Sequence, residues 1–543
     1  MRRHRNHGGL GPDYALAAGS EHNLIIDIGY VLRSPVRAFR RGGAAARGQL
    51  TTAVGGPARV RAVVLLACVL ALASADTATV GAAAAPLRRA LGISNTDIGL
   101  LVTVTALVGA AFSLPFGVLA DRARRTWILG FTLLTWGAAM LWGATSSSFG
   151  QLLLTRACLG AVTAAAGPVV ASLVGDWFPG AERGRIYGFI LTGELVGAGV
   201  GFAVTGDIAA LSWRAAFVIL ALPAFVLAWL IFKVPEPARG GSGALQPEPP
   251  ASPARASPAR ASPAPVGQSP AGQPEAGPAD EPGTAGPEHA AAGHPAAAPP
   301  PDPASLARSK GIQPDPRLIG LGHPGMRFIA SVRYVLAVRT NVVLIISSAC
   351  GYYFLTGVQT FGTEFVSGQY HVTQVFANLL LLVIGGGAVV GVLVAGPLSD
   401  MMLRRGHLDA RITVAAIAAT ATTVLFIPAL ITHSVLTALP YVVLAGATLA
   451  AQNPPIDAAR LDIMPSWLWG RAEGIRTFLR TAAQALAPVL FGAVSGVFGG
   501  GTSGLRTTFA IMLLPLAAAA FFLFRARRSY PSDLVTAAQL TAE

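Results

Sequence analysis

Three ionisable side chains stand inside long apolar runs, a place where charge is costly and usually functional. Asp76 lies in the first run, Arg156 in the fourth and Glu194 in the fifth. Asp76 sits about 22 Å along its helix at 1.5 Å per residue. Arg156 lies only a couple of turns from the outer end of its own helix, so the two reach similar depth. An acid that can exchange its arginine for a proton couples solute movement to a proton gradient, whereas one that cannot is a permanent structural ion pair. The sequence leaves both readings open. Glu194 lies near the middle of its run among Gly193, Gly197, Gly199 and Gly201. The glycines let another helix approach closely, and the glutamate faces a cavity or a polar neighbour. It serves there either as a proton or substrate group or as a hydrogen-bonded core acid.

Further polar residues fall on the later runs. Tyr352, Tyr353 and Gln359 share the seventh, and Gln452 and Asn453 precede Pro454-Pro455 in the tenth. Two prolines interrupt the backbone ladder and leave carbonyls free to face a cavity. Arg480 and Gln484, four residues apart, share a face of the eleventh. These are candidate substrate contacts, with interhelical hydrogen bonding as the alternative for each. No G-x-S-x-G, H-E-x-x-H or clustered His/Cys motif occurs, so neither a catalytic site nor a metal or cofactor is expected. The only lysines, Lys233 and Lys310, lie outside any phosphate-binding loop, which excludes a P-loop ATPase within the chain.

The elements that position these residues are written twice. Gly117-Val-Leu-Ala-Asp121 runs into Arg122, Arg124 and Arg125, and Gly396-Pro-Leu-Ser-Asp400 runs into Arg404 and Arg405. A second pair of sites repeats in the same order: Asp176, Pro179, Gly184 and Arg185, then Asp462, Pro465, Gly470 and Arg471. Two ordered matches at nearly equal offsets indicate an internal duplication. Gly117 and Gly396 permit close helix approach. Asp121 and Asp400, at the C-terminal ends of their helices, are mismatched to the local dipole and require another partner.

The composition places the chain mostly in lipid. It has 543 residues, 53% hydrophobic and 12% charged, against about 25% charged in soluble domains. The net charge of +14 is carried by arginines in tails and loops, a positive-inside pattern rather than a nucleic-acid groove. Cys68, Cys158 and Cys350 lie in apolar runs as packing residues. Spans are expected near 60–85, 96–119, 126–145, 149–175, 186–207 and 213–233, then near 341–364, 374–398, 410–432, 435–459, 473–496 and 505–525. The expected organisation is a disordered cytoplasmic tail at 1–59 and a six-helix half at 60–235. A Pro/Ala-rich disordered linker at 236–324, a second six-helix half at 325–528 and a cytoplasmic tail at 529–543 complete it. The segment 24–32 in the first tail is too short to span. No cleavable leader is expected, because the first span starts near Val60. Arginine placement puts both termini and the linker in the cytoplasm, with Arg88-Arg89 the exception on the outer face.

Twelve spans as six plus six, a central linker and the loop motif in both halves resemble the major facilitator superfamily. Arg156-Ala-Cys-Leu-Gly160 and Trp213-Arg214-Ala-Ala-Phe217 also match its pattern. The run from Arg156 through Asp176, Pro179 and Gly197 to Trp213 is most similar to the spinster-like and organic-anion branches. The resemblance implies an all-α membrane fold of two pseudo-symmetric six-helix halves. It also implies a partner for Asp121 and Asp400, namely the N-terminal end of a helix in the opposite half. A cytoplasmic gate of Gly117, Asp121, Arg122, Arg125, Gly396, Asp400 and Arg405 follows, and spinster-like relatives suggest the Asp76–Arg156 pair. The chain departs from the pattern at Arg124, Thr126 and Thr77, where glycine, a basic residue and, in many organic-anion members, arginine are usual.

The function expected is secondary active transport of a small organic solute by alternating access, coupled to protons, in the plasma membrane, by a monomer in the lipid bilayer. The missing arginine beside Asp76 tilts the substrate towards an amphipathic or lipid-like compound and the direction towards efflux. A facilitated uniporter or uptake symporter is the nearer alternative. A lipid-modifying enzyme or sensor is the more distant one.

Overall fold

The computed structural model describes Val54 and residues 56–93, 95–240 and 303–542. The tail through residue 53, with the 24–32 segment, and the stretch 241–302, both read above as disordered, lie outside the described residues.

The described chain is helical throughout, and eleven stretches are long and apolar enough to cross a membrane. Helix Arg183–Leu211, with 29 residues, completes twelve. Spans one to three are Pro57–Ala82, Asn95–Arg122 and Arg125–Ala144; spans five and six are Arg183–Leu211 and Trp213–Phe232. Spans seven to nine are Arg339–Tyr370, Gln374–Arg404 and Ala410–Ile431; spans eleven and twelve are Trp469–Val497 and Gly501–Ala526. Spans four and ten are each broken: Phe149–Thr163 with Ala166–Trp177, and Val435–Ala451 with Asn453–Asp462. Pro168 stands two residues into its second piece and Pro454 one residue into its own. A proline has no N–H for the ladder and is tolerated in a helix's first turn. The tenth-span break was expected, but its partner in span four was not.

The same helix pairs meet in both halves. Span one packs on five as seven packs on eleven, three on six as nine on twelve, and two on four as eight on ten. The halves meet through two further equivalent seams, span two on eleven and span eight on five. Glycine decides where each seam is tight. On span five, Gly184 and Gly188 meet span eight, whereas Gly193, Gly197 and Gly201 meet Ala67, Ala71 and Ala75 of span one. Close approach between halves is thus confined to the end carrying the Asp-Arg loops, here termed the arginine-rich face.

The stretch expected as a disordered linker is ordered at both ends, and the terminal tail carries a helix. Glu236 to Gly240 is pinned beneath span three (below), so the linker does not begin at 236. Residues 303–324 include helices Pro303–Ser309 and Pro316–Leu321, and 530–542 form helix Tyr530–Ala542. Ala307, Leu318, Tyr530, Leu534 and Leu540 are all buried, so these short helices are held by a shared apolar layer rather than by intrinsic propensity. Thr536 Oγ1 accepts from the Asp315 amide at 2.8 Å, and Trp467 Nε1 donates to the Leu540 carbonyl at 3.2 Å. Phe328–Ala337 is a further short helix leading into span seven.

Candidate functional site

At the arginine-rich face, each half supplies an aspartate to the first turn of a helix in the other half. Asp121 accepts from the backbone amides of Gly470 (2.6 Å) and Arg471 (3.0 Å) at the start of span eleven. Asp400 accepts from the amides of Gly184 (3.2 Å) and Arg185 (2.6 Å) at the start of span five. The first amides of a helix have no partner within it, and its dipole favours a negative charge there, so each carboxylate caps a foreign helix. The glycines make the approach possible. A Cβ on Gly117 would lie 2.7 Å from the Gly470 carbonyl oxygen, and one on Gly396 would run into the Gly184 backbone. The arginines divide unequally. Arg471 Nε donates to Asp121 across the seam at 2.8 Å, while Asp400 takes Arg411 of its own half at 3.2 Å.

Arg125, expected among the seam residues, instead serves its own half. Its guanidinium is buried against Asp176 and Glu236 and reaches the Pro237 carbonyl at 2.9 Å. Burial opposes charge on Glu236, but the Thr126 and Arg125 amides and the Arg125 guanidinium hold its carboxyl below the usual range. Arg411 occupies the equivalent place in the second half, binding Asp462, which also takes Arg183 of the first half at 3.2 Å and the Tyr530 hydroxyl at 2.9 Å. The motif acids Asp176 and Asp462 therefore organise this face as much as Asp121 and Asp400 do. Arg122, Arg404 and Arg405 are exposed, with Arg404 3.5 Å from the Ala181 carbonyl across the seam. Arg124 lies over the Trp127 ring.

Deeper in the second half lies a cluster that the sequence reading did not single out. Arg460 pairs with Glu473 at 2.6 Å, Glu473 with Arg476 at 2.6 Å, and Arg476 with Asp457 at 2.9 Å. All four side chains are buried, and Ser348 of span seven accepts from Arg476 at 3.1 Å. Two positive and two negative charges cancel within it.

Beyond this cluster, Arg480 lies with its guanidinium 4.3 Å from the Tyr352 ring centre, and its Nε has no hydrogen-bond partner. Glu194 is half-buried and has Arg480 as its strongest charged neighbour, followed by Asp457 and Arg476. Gln452, fully buried at the break in span ten, donates to the Leu449 carbonyl at 3.0 Å, opposite Gly351, and its Oε1 has no partner. Asn453 and Gln484 are half-buried, and Gln359 is exposed on the distal part of span seven. Tyr353 is not with Tyr352: it turns into the packing of the second half, its hydroxyl 3.3 Å from Met512 Sδ and its ring on Phe491. It is thus a packing residue rather than a contact at the centre.

Asp76 and Arg156 do meet, at 2.9 Å, both sealed within the first half. Arg156 also lies over Phe217 at 4.7 Å and donates to Met140 Sδ. The pair is separate from the Glu194–Arg480 region.

A polytopic helical membrane protein with two equivalent six-helix halves, closed together at one face around a polar centre, is the architecture of a membrane transporter. The chain belongs to the Major Facilitator Superfamily, whose family model matches residues 66–446. It is 29% identical over 154 residues to the probable L-galactonate transporter of Escherichia coli (strain K12), which is 28% of this chain and 34% of that protein. It is 28% identical over 169 residues to the Drosophila melanogaster protein spinster, 31% of this chain and 28% of that one. The matched stretches thus span about a third of these relatives' lengths. Its fold is similar to that of the major facilitator transporter FucP, with a TM-score of 0.57 at 13% identity, covering 86% of this chain and 98% of the other.

Proposed function

We propose that this transporter moves a small organic anion across the cell membrane by alternating access, driven by a proton gradient, as a monomer with both termini in the cytoplasm. The observation that carries the reading is the reciprocal capping of Gly470-Arg471 by Asp121 and of Gly184-Arg185 by Asp400. Such caps close one face, and they can break without leaving any backbone amide buried, because water replaces the carboxylate. The arginine excess at that face supports its lying in the cytoplasm. Gly117, Asp121, Arg471, Gly396 and Asp400 then form the cytoplasmic gate, with Arg122 and Arg405 at its rim.

The substrate reading changes from that of the sequence. Arg480 supplies in span eleven the positive charge missing beside Asp76, and a relative is named for a sugar acid. Both favour a carboxylate over a lipid-like cargo, with Tyr352, Gln452, Asn453 and Gln484 as further contacts. The test is uptake of L-galactonate, D-glucuronate and benzoate by the purified chain in proteoliposomes. Accumulation against a gradient under an imposed pH difference is expected. Equilibration without accumulation would indicate a uniporter, and transport of none of the three acids would overturn the reading.

A further inference from the structure

Glu194 and Arg480 occupy the same register in the two halves. Glu194 stands as far beyond Gly184 on span five as Arg480 stands beyond Gly470 on span eleven. The duplication therefore places an acid and a base at equivalent depth in the two spans that the gate aspartates cap.

Neither charge is satisfied as its neighbours are. The four-charge cluster of Asp457, Arg460, Glu473 and Arg476 is closed on itself, and Asp76 holds Arg156. Glu194 makes no hydrogen bond or ion pair with any described residue, and Arg480 has only the Tyr352 ring, with its Nε unpartnered. Buried polar groups are nearly always hydrogen-bonded, so the unpartnered Arg480 Nε, with a half-buried and unpaired acid as its charged neighbour, requires an explanation. The groups facing Glu194 are Arg480 and Arg476 of span eleven, Asp457 of span ten and Tyr352 of span seven. Span one, packed along its glycines, presents Ala67, Ala71 and Ala75 there.

The charge count favours a particular use of this pair. With the cluster neutral, ionised Glu194 and Arg480 leave the empty centre neutral. Adding a monoanion alone would leave one uncompensated negative charge at low dielectric, which is strongly disfavoured. Adding the anion together with a proton on Glu194 restores neutrality.

We propose that Glu194 and Arg480 form a proton-for-carboxylate exchange pair: Arg480 takes the carboxylate of a monoanionic substrate as Glu194 takes up one proton. The inference rests on the transporter reading above. One proton and one monocarboxylate travel together, no net charge crosses, and both are released when the centre opens to the other side. The aromatic face of Tyr352 holds the guanidinium in place and leaves its edge for the carboxylate.

The test uses the full chain in proteoliposomes with an internal pH dye and a potassium–valinomycin clamp, and L-galactonate, D-glucuronate and benzoate as probes. Wild type should acidify the lumen in proportion to uptake, at a rate insensitive to the clamped potential. Glu194→Gln should keep anion exchange but lose acid-driven accumulation by about tenfold or more, because its site no longer changes charge. Arg480→Gln should lose both. Proton movement that persists in Glu194→Gln, or wild-type uptake that carries charge, would overturn the pair. If the wild type moves no acid, the transporter reading falls and the pair falls with it. Calorimetry of the wild type alone, in buffers of different ionisation enthalpy, gives a second readout. Galactonate binding at pH 7.5 should take up close to one proton, and binding without uptake would also overturn the proposal.

Discussion

Buried charge in this protein comes in two kinds, and single substitutions should separate them. Asp76 is 3% exposed and Arg156 1%, each closed on the other. Removing one member of such a pair strands the other charge at a cost of about 3–5 kcal/mol. Asp76→Asn and Arg476→Gln should therefore lower the thermal unfolding midpoint in detergent. The double change Asp76→Asn with Arg156→Met should recover much of the loss, and an unchanged midpoint for Asp76→Asn would place the pair outside the stabilising core. Individual residues differed in legibility for the same physical reason. Asp76, Arg156, Glu194 and Arg480 lie about two turns or more inside their expected spans, so hydropathy alone marks them. Asp457, Arg460, Glu473 and Arg476 sit near the span ends as drawn at 459 and 473, where charges look solvated. The helices in fact run to Asp462 and from Trp469 and carry all four into the protein. Four ionisable residues of balanced sign flanking one loop was the available signal.

The seams and the terminal helix make predictions for whole elements. Removing a helix cap costs about 1 kcal/mol, which shifts a two-state closure about fivefold. Ser399 is fully buried beside Gly184. In a Ser399→Cys background, Asp400→Asn should raise labelling by a membrane-impermeant maleimide from the arginine-rich side about fivefold on that basis. Gly117→Val should raise it further, since its side chain meets the Gly470 carbonyl and holds the second seam apart. Unaltered labelling in both would show that these contacts do not control closure. For the helix Tyr530–Ala542, burial pushes the Asp533 carboxyl from 3.8 up to about 6, with Asp315 adding to the effect and Thr340 opposing it. The docked state therefore binds a proton that the undocked state releases. Docking is fully supported below about pH 4 and weakens as pH rises through about 6. Hydrogen exchange in this helix, corrected for the intrinsic rise of exchange with pH, should accelerate between about pH 4 and about 6 and level off above it, and Asp533→Asn should flatten that dependence.

At the scale of the molecule, the duplication was readable because the Gly-x-x-x-Asp and Asp-x-x-Pro spacings recur in order, and the packing repeats it helix pair by helix pair. The cargo was not legible: the missing arginine beside Asp76 pulls towards a lipid-like compound, Arg480 in span eleven pulls towards an acid, and residue types alone do not weigh one against the other. The docked terminal helix was hidden by its place after the last apolar run. Its seat has a practical side. Tyr530 holds Asp462, Thr541 Oγ1 accepts from the Ser466 amide at 3.2 Å, and Trp467 holds Leu540, so the last turn is bolted to the second half beside the first turn of span eleven. A fluorophore at Ala542 would ride with that half, and one at Arg122 with the other. Under the proposed alternating access, energy transfer between the two dyes would turn each cycle into a change of colour, readable from single molecules without a radioactive solute.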